Sequence, residues 1–208
     1  MRREATECDK IISDEDILQN YAVKEVAKIT FTPGICQDTN IKQCKIDLTG
    51  EGGTFITYLP IERAYHAQKE LRAFDGMGKV AEHKLFILNE SYRGKGIAST
   101  IAKNEEKVYL DNEFNEVHID AAWDGVHVWR RLGYNYTSDS DKALILAAWR
   151  KYVISTFGKK EGIDAIKKYK RVEEIPLKYL KPNAKESMGE WLVKTRVLPV
   201  VSMYKKVG

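Results

Sequence analysis

Apolar and polar positions along this chain change rhythm several times, and the sharpest change falls in Leu85-Phe86-Ile87-Leu88-Asn89-Glu90-Ser91-Tyr92-Arg93-Gly94-Lys95-Gly96-Ile97-Ala98. Residues 85–88 form an apolar run too short for a helix and bounded by turn-forming residues, which predicts a buried strand. From Ile97 the apolar positions recur at helical spacing, with Ile97, Ile101 and Val108 on one line and Ala98, Ala102 and Tyr109 on the next. Upstream, Ser13 can cap a helix over 14–20 with Asp16 in the capping-box position. Residues 23–32 alternate loosely and end at Pro33-Gly34, a strand closing in a turn. Residues 44–48 and 54–59 flank Gly50-Glu51-Gly52-Gly53, a hairpin signal. The segment 61–74 reads as a helix stopped by Asp75-Gly76-Met77-Gly78.

Downstream, residues 112–115 read as a turn. In 116–121, Val117, Ile119 and Ala121 alternate against His118 and Asp120, as in a half-buried strand. Residues 123–134 read as a short helix ended by Gly133, and 141–157, 162–171 and 186–197 as further helices.

Composition narrows the class. With 43% hydrophobic and 31% charged residues over 208 positions, the chain can bury one domain and carry an extension. No apolar run reaches the roughly 18 to 20 residues of a membrane span, so no membrane partner is expected. The N-terminal residues are charged where a signal peptide would be apolar. Cys8, Cys36 and Cys44 are an odd number without metal-like spacing, and the histidines at 66, 83, 118 and 127 are scattered. These features predict reduced thiols, a cytoplasmic location and no metal.

Charge is uneven. Residues 141–208 hold 16 Lys and Arg against 7 Asp and Glu, net +9, which leaves residues 1–140 with 18 against 23, net −5. A basic region over 141–208 suits an acidic partner such as nucleic acid, and equally suits solvated faces of amphipathic helices.

The loop holds the chemistry. After Glu90 it has no carboxylate, and Arg93 and Lys95 stand beside Gly94 and Gly96 where a helix leaves its first amides unpaired. Amides, helix dipole and two cations make an anion site. A side chain at either glycine would hold a phosphate away from the backbone. A Walker loop is excluded because no Gly-Lys-Ser/Thr follows, and the dinucleotide fingerprint is excluded because Ser99 occupies the place of its third glycine.

This pattern resembles the pyrophosphate loop of the GCN5-related N-acetyltransferases (GNAT), in which a strand ends near Arg or Gln, two residues, Gly, one residue, then Gly or Ala; here these are Arg93, Gly96 and Ala98. Trp129-Arg130-Arg131-Leu132-Gly133-Tyr134 resembles that superfamily's second signature. Residues 197–206 resemble the closing strand of many members, with about 55 residues of helix inserted before it. The resemblance implies an α/β fold: a mixed, mainly antiparallel central sheet flanked by helices, with a core over 1–136 and a basic helical region over 137–208. A helix over 61–74 would be an insertion in that plan.

The resemblance also implies acyl transfer, most often of acetyl, from acetyl-CoA or another acyl-CoA to an amine on a protein, an aminoacyl-tRNA or a small molecule. A lysine-type ammonium, with a pKa near 10.4, must shed a proton before attacking the thioester, so a base is required. A thiol with a pKa near 8.5 can leave with little help. Glu82 leads as the base because members often carry an acid there, with His83 beside it at the start of the central strand; Asp120 on the neighbouring strand is a further candidate, with pairing to Arg130 or Arg131 as its structural alternative. His118 and His127 read as ordinary half-buried histidines, and Trp123 and Trp129 as core or pocket walls.

Many members carry a tyrosine as general acid at the place of Trp129, and an asparagine near Ala122. Without them, Tyr134 or Tyr136 substitutes, or the thiolate leaves unaided, or the chain no longer catalyses transfer. Phe86 and Leu88 would offer backbone groups to the pantetheine arm, and Arg93, Gly94, Lys95, Gly96, Ile97 and Ala98 would hold the pyrophosphate. The competing expectation is a GNAT-fold protein that binds or modifies nucleic acid through its basic helices.

Overall fold

The computed structural model describes residues 11–21, 23–35, 42–60, 79–122, 125–175, 187–195 and 200–208. Among the described residues seven strands form one mixed sheet: β1 (Lys28–Ile35), β2 (Lys42–Gly50), β3 (Gly53–Pro60), β4 (Lys79–Leu88), β5 (Phe114–Ala121), β6 (Asn135–Tyr136) and β7 (Val201–Lys206), in the order β1-β2-β3-β4-β5-β7-β6. Strands β1 to β4 are an antiparallel meander, β4 and β5 run parallel, and β6 pairs antiparallel with β7. The expected mixed, mainly antiparallel α/β architecture is present. The helix expected over 61–74, its glycine stop, Trp123, Cys8 and Cys36 lie outside the described residues.

Contacts divide the chain into two compact units. The first comprises residues 1–70, 74–119 and 205–208. It opens with α1 (Asp14–Asp16), continued by a π-helical turn, Ile17–Tyr21. Ser13 caps it as its position predicts, its Oγ accepting from the Asp16 amide at 3.1 Å and donating to the Asp16 carboxylate at 2.8 Å.

The β2–β3 hairpin turns on Glu51-Gly52, with Gly50 opposite Gly53. A side chain at Gly53 (φ 140°) would lie 2.0 Å from the Ile87 carbonyl oxygen, so glycine is required there. Helix α2 (Ile97–Asp111) buries Ile97, Ile101 and Val108, the first line read from the sequence, together with Glu105 and, from the second line, Tyr109. Beneath it the registers Leu48↔Phe55, Thr57↔His83 and His83↔Ile119 put buried side chains on one face of the sheet. Each fully buried aliphatic side chain there contributes about 1.5–3 kcal/mol.

Three expectations need correction. First, strand β1 begins at Lys28, with a turn before it, and runs through Pro33 and Gly34. As an edge strand it tolerates the missing proline N–H. Second, residues 85–88 are strand but not buried throughout: Leu85 is 41% and Ile87 48% exposed. The cause is a bulge, since Leu85 pairs with Ile56 but His83 with Thr57, leaving Lys84 as the extra residue. His83 and Phe86 both pack on Phe55 and hence share the α2 face, while Leu85 and Ile87 face outward. Third, Cys44 is disulfide-bonded and fully buried, so the expectation of reduced thiols fails at this residue.

The second unit comprises residues 71–73 and 120–204. It contains α3 (Gly125–Arg131), α4 (Asp139–Phe157), α5 (Lys159–Lys168) and α6 (Met188–Thr195), of which α4, α5 and α6 fall between β6 and β7 in the chain. Gly133 (φ 93°) follows α3, and Ser138 caps α4 by accepting from the Asp141 amide at 3.1 Å. A Cβ at Gly162 would lie 2.8 Å from Ile154 Cα, so α5 approaches α4 backbone to backbone. Trp149, Tyr152 and Val153 of α4 are fully buried, with Trp191 of α6 packed edge-on against Tyr152. Arg130 donates to the carbonyls of Glu173 (2.9 Å) and Ile175 (3.1 Å). Among the described residues no helix is long and apolar enough to cross a membrane.

Candidate functional site

In the first unit, parallel pairing of β4 with β5 runs from Lys79↔Phe114 to His83↔Ile119 and then ends. Strand β4 continues to Leu88, and among the described residues only β3 pairs with it there. The Asn89 amide donates to the Gly52 carbonyl at 3.2 Å. Alternate residues of an antiparallel ladder turn their N–H and C=O to the same neighbour, so Ile87 shares the β3 side with Asn89. Phe86 and Leu88 therefore turn their backbone groups to the side away from β3.

The strand enters a 3₁₀ turn, Glu90–Tyr92, and then the glycine loop. Gly94 (φ 74°) and Gly96 (φ 80°) are both left-handed, and Gly96 is the residue on which α2 starts, without a side-chain cap. The first amide to find an acceptor is that of Thr100, which donates to the Gly96 carbonyl at 2.9 Å. Among the described residues nothing accepts from the amides of Ile97, Ala98 and Ser99. An added Cβ at Gly94 or Gly96 meets nothing within 4 Å. The glycines are thus demanded by backbone conformation, and the space in front of the loop is open.

Arg93 Nε donates to the Leu88 carbonyl at 3.1 Å, and Lys95 Nζ lies 5.0 Å from the centre of the Tyr92 ring. The hairpin turn holds this loop in place. Asn89 Nδ2 donates to the Glu51 carbonyl at 2.6 Å, and the Tyr92 hydroxyl to the Glu51 carboxylate at 3.1 Å. That carboxylate raises the Tyr92 pKa, because the phenol donates to an anion. Beside the loop, Phe55, Phe86, Leu88, Ile97 and Ile101 line an apolar depression of about 300 Å³, open to solvent, with Glu25 among its lining residues.

The candidate bases and acid fall in different places. Glu82 stands on the face of β4 away from α2, opposite Tyr58 on β3 and His118 on β5, and is paired with Lys84. Asp120 and Tyr134 belong to the second unit. Asp120 is exposed and accepts from Ser202 Oγ at 2.8 Å, so its partner is a serine and not Arg130 or Arg131. Tyr134 is 4% exposed, edge-on against Trp129 at 5.3 Å. Burial pushes the Tyr136 phenol up to about 12, which makes it a reluctant acid.

Two polar clusters of the first unit were not read as clusters from the sequence, and the expectation of His83 as a base meets a buried ring. Beneath α2, His83 Nε2 lies 2.9 Å from the Tyr109 hydroxyl and 3.8 Å from Glu105 Oε1, all three nearly inaccessible. Burial drives the His83 pKa down to about 3, so the ring is neutral. On the other face, His118 Nε2 lies 2.7 Å from Glu116 Oε2. The signal was present in Glu116-Val117-His118: residues two apart on a strand share a face.

No family model, curated protein or solved structure matches the chain. Among the described residues no group of three or more His, Cys, Asp or Glu side chains could hold a metal ion.

Proposed function

We propose that the chain is a coenzyme A-dependent N-acyltransferase, with acetyl-CoA as the first donor to test. The reading is carried by one observation: β4 leaves β5 after His83 and runs into a glycine loop at which the amides of Ile97, Ala98 and Ser99 find no acceptor among the described residues, beside Arg93 and Lys95. A pantetheine arm carries amides that can pair with a strand edge as an added strand. The diphosphate at its end suits the amides, the helix dipole and the two cations. The thioester then falls toward the point where the strands part, next to Glu82. An amine there attacks the carbonyl carbon, the C–N bond forms, and the C–S bond breaks to release the thiol.

Thermal unfolding with and without acetyl-CoA tests the binding step. At 100 times the dissociation constant the donor adds about 2.7 kcal/mol of stability. The absence of any shift at millimolar donor, together with no thiol release on adding amines, sinks the reading.

A second reading concerns the acceptor. Lys159 and Lys160 occupy the first turn of α5, and Arg150 and Lys151 of α4 are exposed. Cations at a helix N-terminus oppose its dipole, and a polyanion such as tRNA offsets that cost. Binding of tRNA that weakens steeply with salt supports an aminoacyl-tRNA acceptor; salt-independent or absent binding leaves protein and small-molecule amines.

A further inference from the structure

We infer that the α4–α5 hairpin of the second unit is a surface for the phosphate backbone of a nucleic acid duplex. The inference rests on the nucleic-acid reading of the acceptor above, names the surface that reading lacks, and does not require acyl transfer. Residues 142–171 hold nine Lys and Arg against two Asp and Glu. Both carboxylates, Glu161 and Asp164, fall within one turn of α5, and the stretches 142–160 and 165–172 carry none.

The fold gathers these cations. Helix α5 turns back along α4: Gly162 lies against the Ile154 backbone, and further on the Tyr169 ring packs edge-on against Trp149 at 5.8 Å. Arg150 and Lys151 on α4 and Lys167 and Lys168 on α5 therefore lie between the same two contacts, and Lys170 follows directly. From Gly162 to Tyr169 the helix rises about 10 Å. All five of these residues are exposed, and among the described residues no carboxylate pairs with them. The engaged cations stand at the margins, Lys142 with Glu173 at 3.2 Å and Arg171 with Glu174 at 2.8 Å.

Lys167 and Lys168 complement the C-terminal end of the α5 dipole, which accounts for them locally. Arg150 and Lys151 have no such account, since they stand mid-helix in α4, beyond its first and last turns. Like charges gathered on one hairpin repel one another, and a partner of opposite charge removes that cost. Over about 10 Å of its axis a duplex presents about six phosphate charges, a density that this cluster matches. An anionic bilayer fits less well. A helix lying on a bilayer buries an apolar face in it, whereas α5 meets α4 at Gly162, buries Ala165, and among its described residues leaves Ile163 as the one exposed large apolar side chain.

The test is fluorescence anisotropy of the full chain with short labelled RNA and DNA duplexes between about 50 and 200 mM salt, with phosphatidylserine vesicles and polyglutamate as rival polyanions. Five phosphate contacts give a slope of about −4.5 in log affinity against log salt, a loss of about 500-fold over that range. Lys151→Gln combined with Lys167→Gln is expected to reduce the size of that slope by about two. Lys103→Gln combined with Lys107→Gln removes the same charge from exposed positions of α2 and is expected to leave the slope unchanged. Thermal midpoints of both double variants establish that they are folded.

A wild-type chain that binds neither duplex at the low-salt end overturns the inference. Equal slopes in the two double variants also overturn it, marking net charge rather than the hairpin, and leave nucleic acid standing as a ligand. Binding to the vesicles or to polyglutamate at least as tight as to the duplexes overturns it in favour of a membrane surface or an acidic protein. The acetyl-CoA thermal shift is scored separately: its absence sinks acyl transfer and leaves a duplex-binding hairpin standing, and its presence in a chain that binds neither duplex does the reverse.

Discussion

Arg93 reaches back to Leu88: its Nε donates to the Leu88 carbonyl at 3.1 Å, closing the bend between β4 and α2. The bond uses only the inner nitrogen of the guanidinium. The two terminal nitrogens have no partner among the described residues, so a planar fork remains for an anion in front of the glycine loop.

Arg93→Lys keeps the charge and loses both the tether and the fork. Acetyl-CoA affinity measured by calorimetry is expected to weaken about tenfold, near 1.4 kcal/mol. Arg93 is exposed, so stability in urea is expected to change by less than about 0.5 kcal/mol. Undiminished affinity would remove Arg93 from the anion site.

Two glycines with positive φ separate a packing demand from a conformational one. Gly53→Ala drives a methyl to 2.0 Å from the Ile87 carbonyl oxygen, whereas Gly94→Ala enters open space. Denaturant midpoints are expected to show a loss of about 2 kcal/mol or more for the first and about 1 kcal/mol for the second. Equal losses would mean that the hairpin does not press on β4 as described.

His83 makes stability depend on pH. In the unfolded chain its ring takes up a proton below about 6.5; in the folded chain it does so only near 3, because the site shared with Tyr109 and Glu105 is dry. The unfolded state therefore binds more protons in that window. Its contribution is complete above about pH 6.5 and is lost as pH falls toward 3, at up to about 1.4 kcal/mol per pH unit. Urea titrations at several pH values are expected to give a shallower acid limb for His83→Gln than for the wild type, and an unchanged limb would count against a buried neutral ring.

Arg130 joins α3 to the segment at Glu173 and Ile175 with two hydrogen bonds to backbone oxygens. Arg130→Ala is expected to cost about 1–3 kcal/mol and to increase amide exchange over 172–175, whereas Arg131→Ala, at an exposed position, is expected to cost under about 0.5 kcal/mol.

The elements that were legible from sequence are those whose signals are local. Ser13 and Gly133 mark helix ends by their own chemistry, Ile97, Ile101 and Val108 mark a face by spacing, and Gly50 to Gly53 announce a hairpin. What escaped depends on neighbours distant in sequence. The burial of residues 85–88 was misread because an apolar run does not reveal a bulge opposite Thr57. The partner of Asp120 was misassigned because Ser202 lies 82 residues away. The Glu116–His118 pair was readable in principle, from two polar residues on one face of a short strand, but only the register showed Glu82 across from it.

Lys84, the extra residue in β4, acts as a half-turn of the strand about its own axis. Because a strand's side chains and its backbone donors rotate together, this one insertion chooses both which side chains meet Phe55 and which carbonyls look away from β3. Without Lys84 the pairs His83↔Thr57 and Leu85↔Ile56 would simply follow one another, with Leu85 and Ile87 still outward; it is the added residue that lets His83 and Phe86, three positions apart, meet the same Phe55 ring.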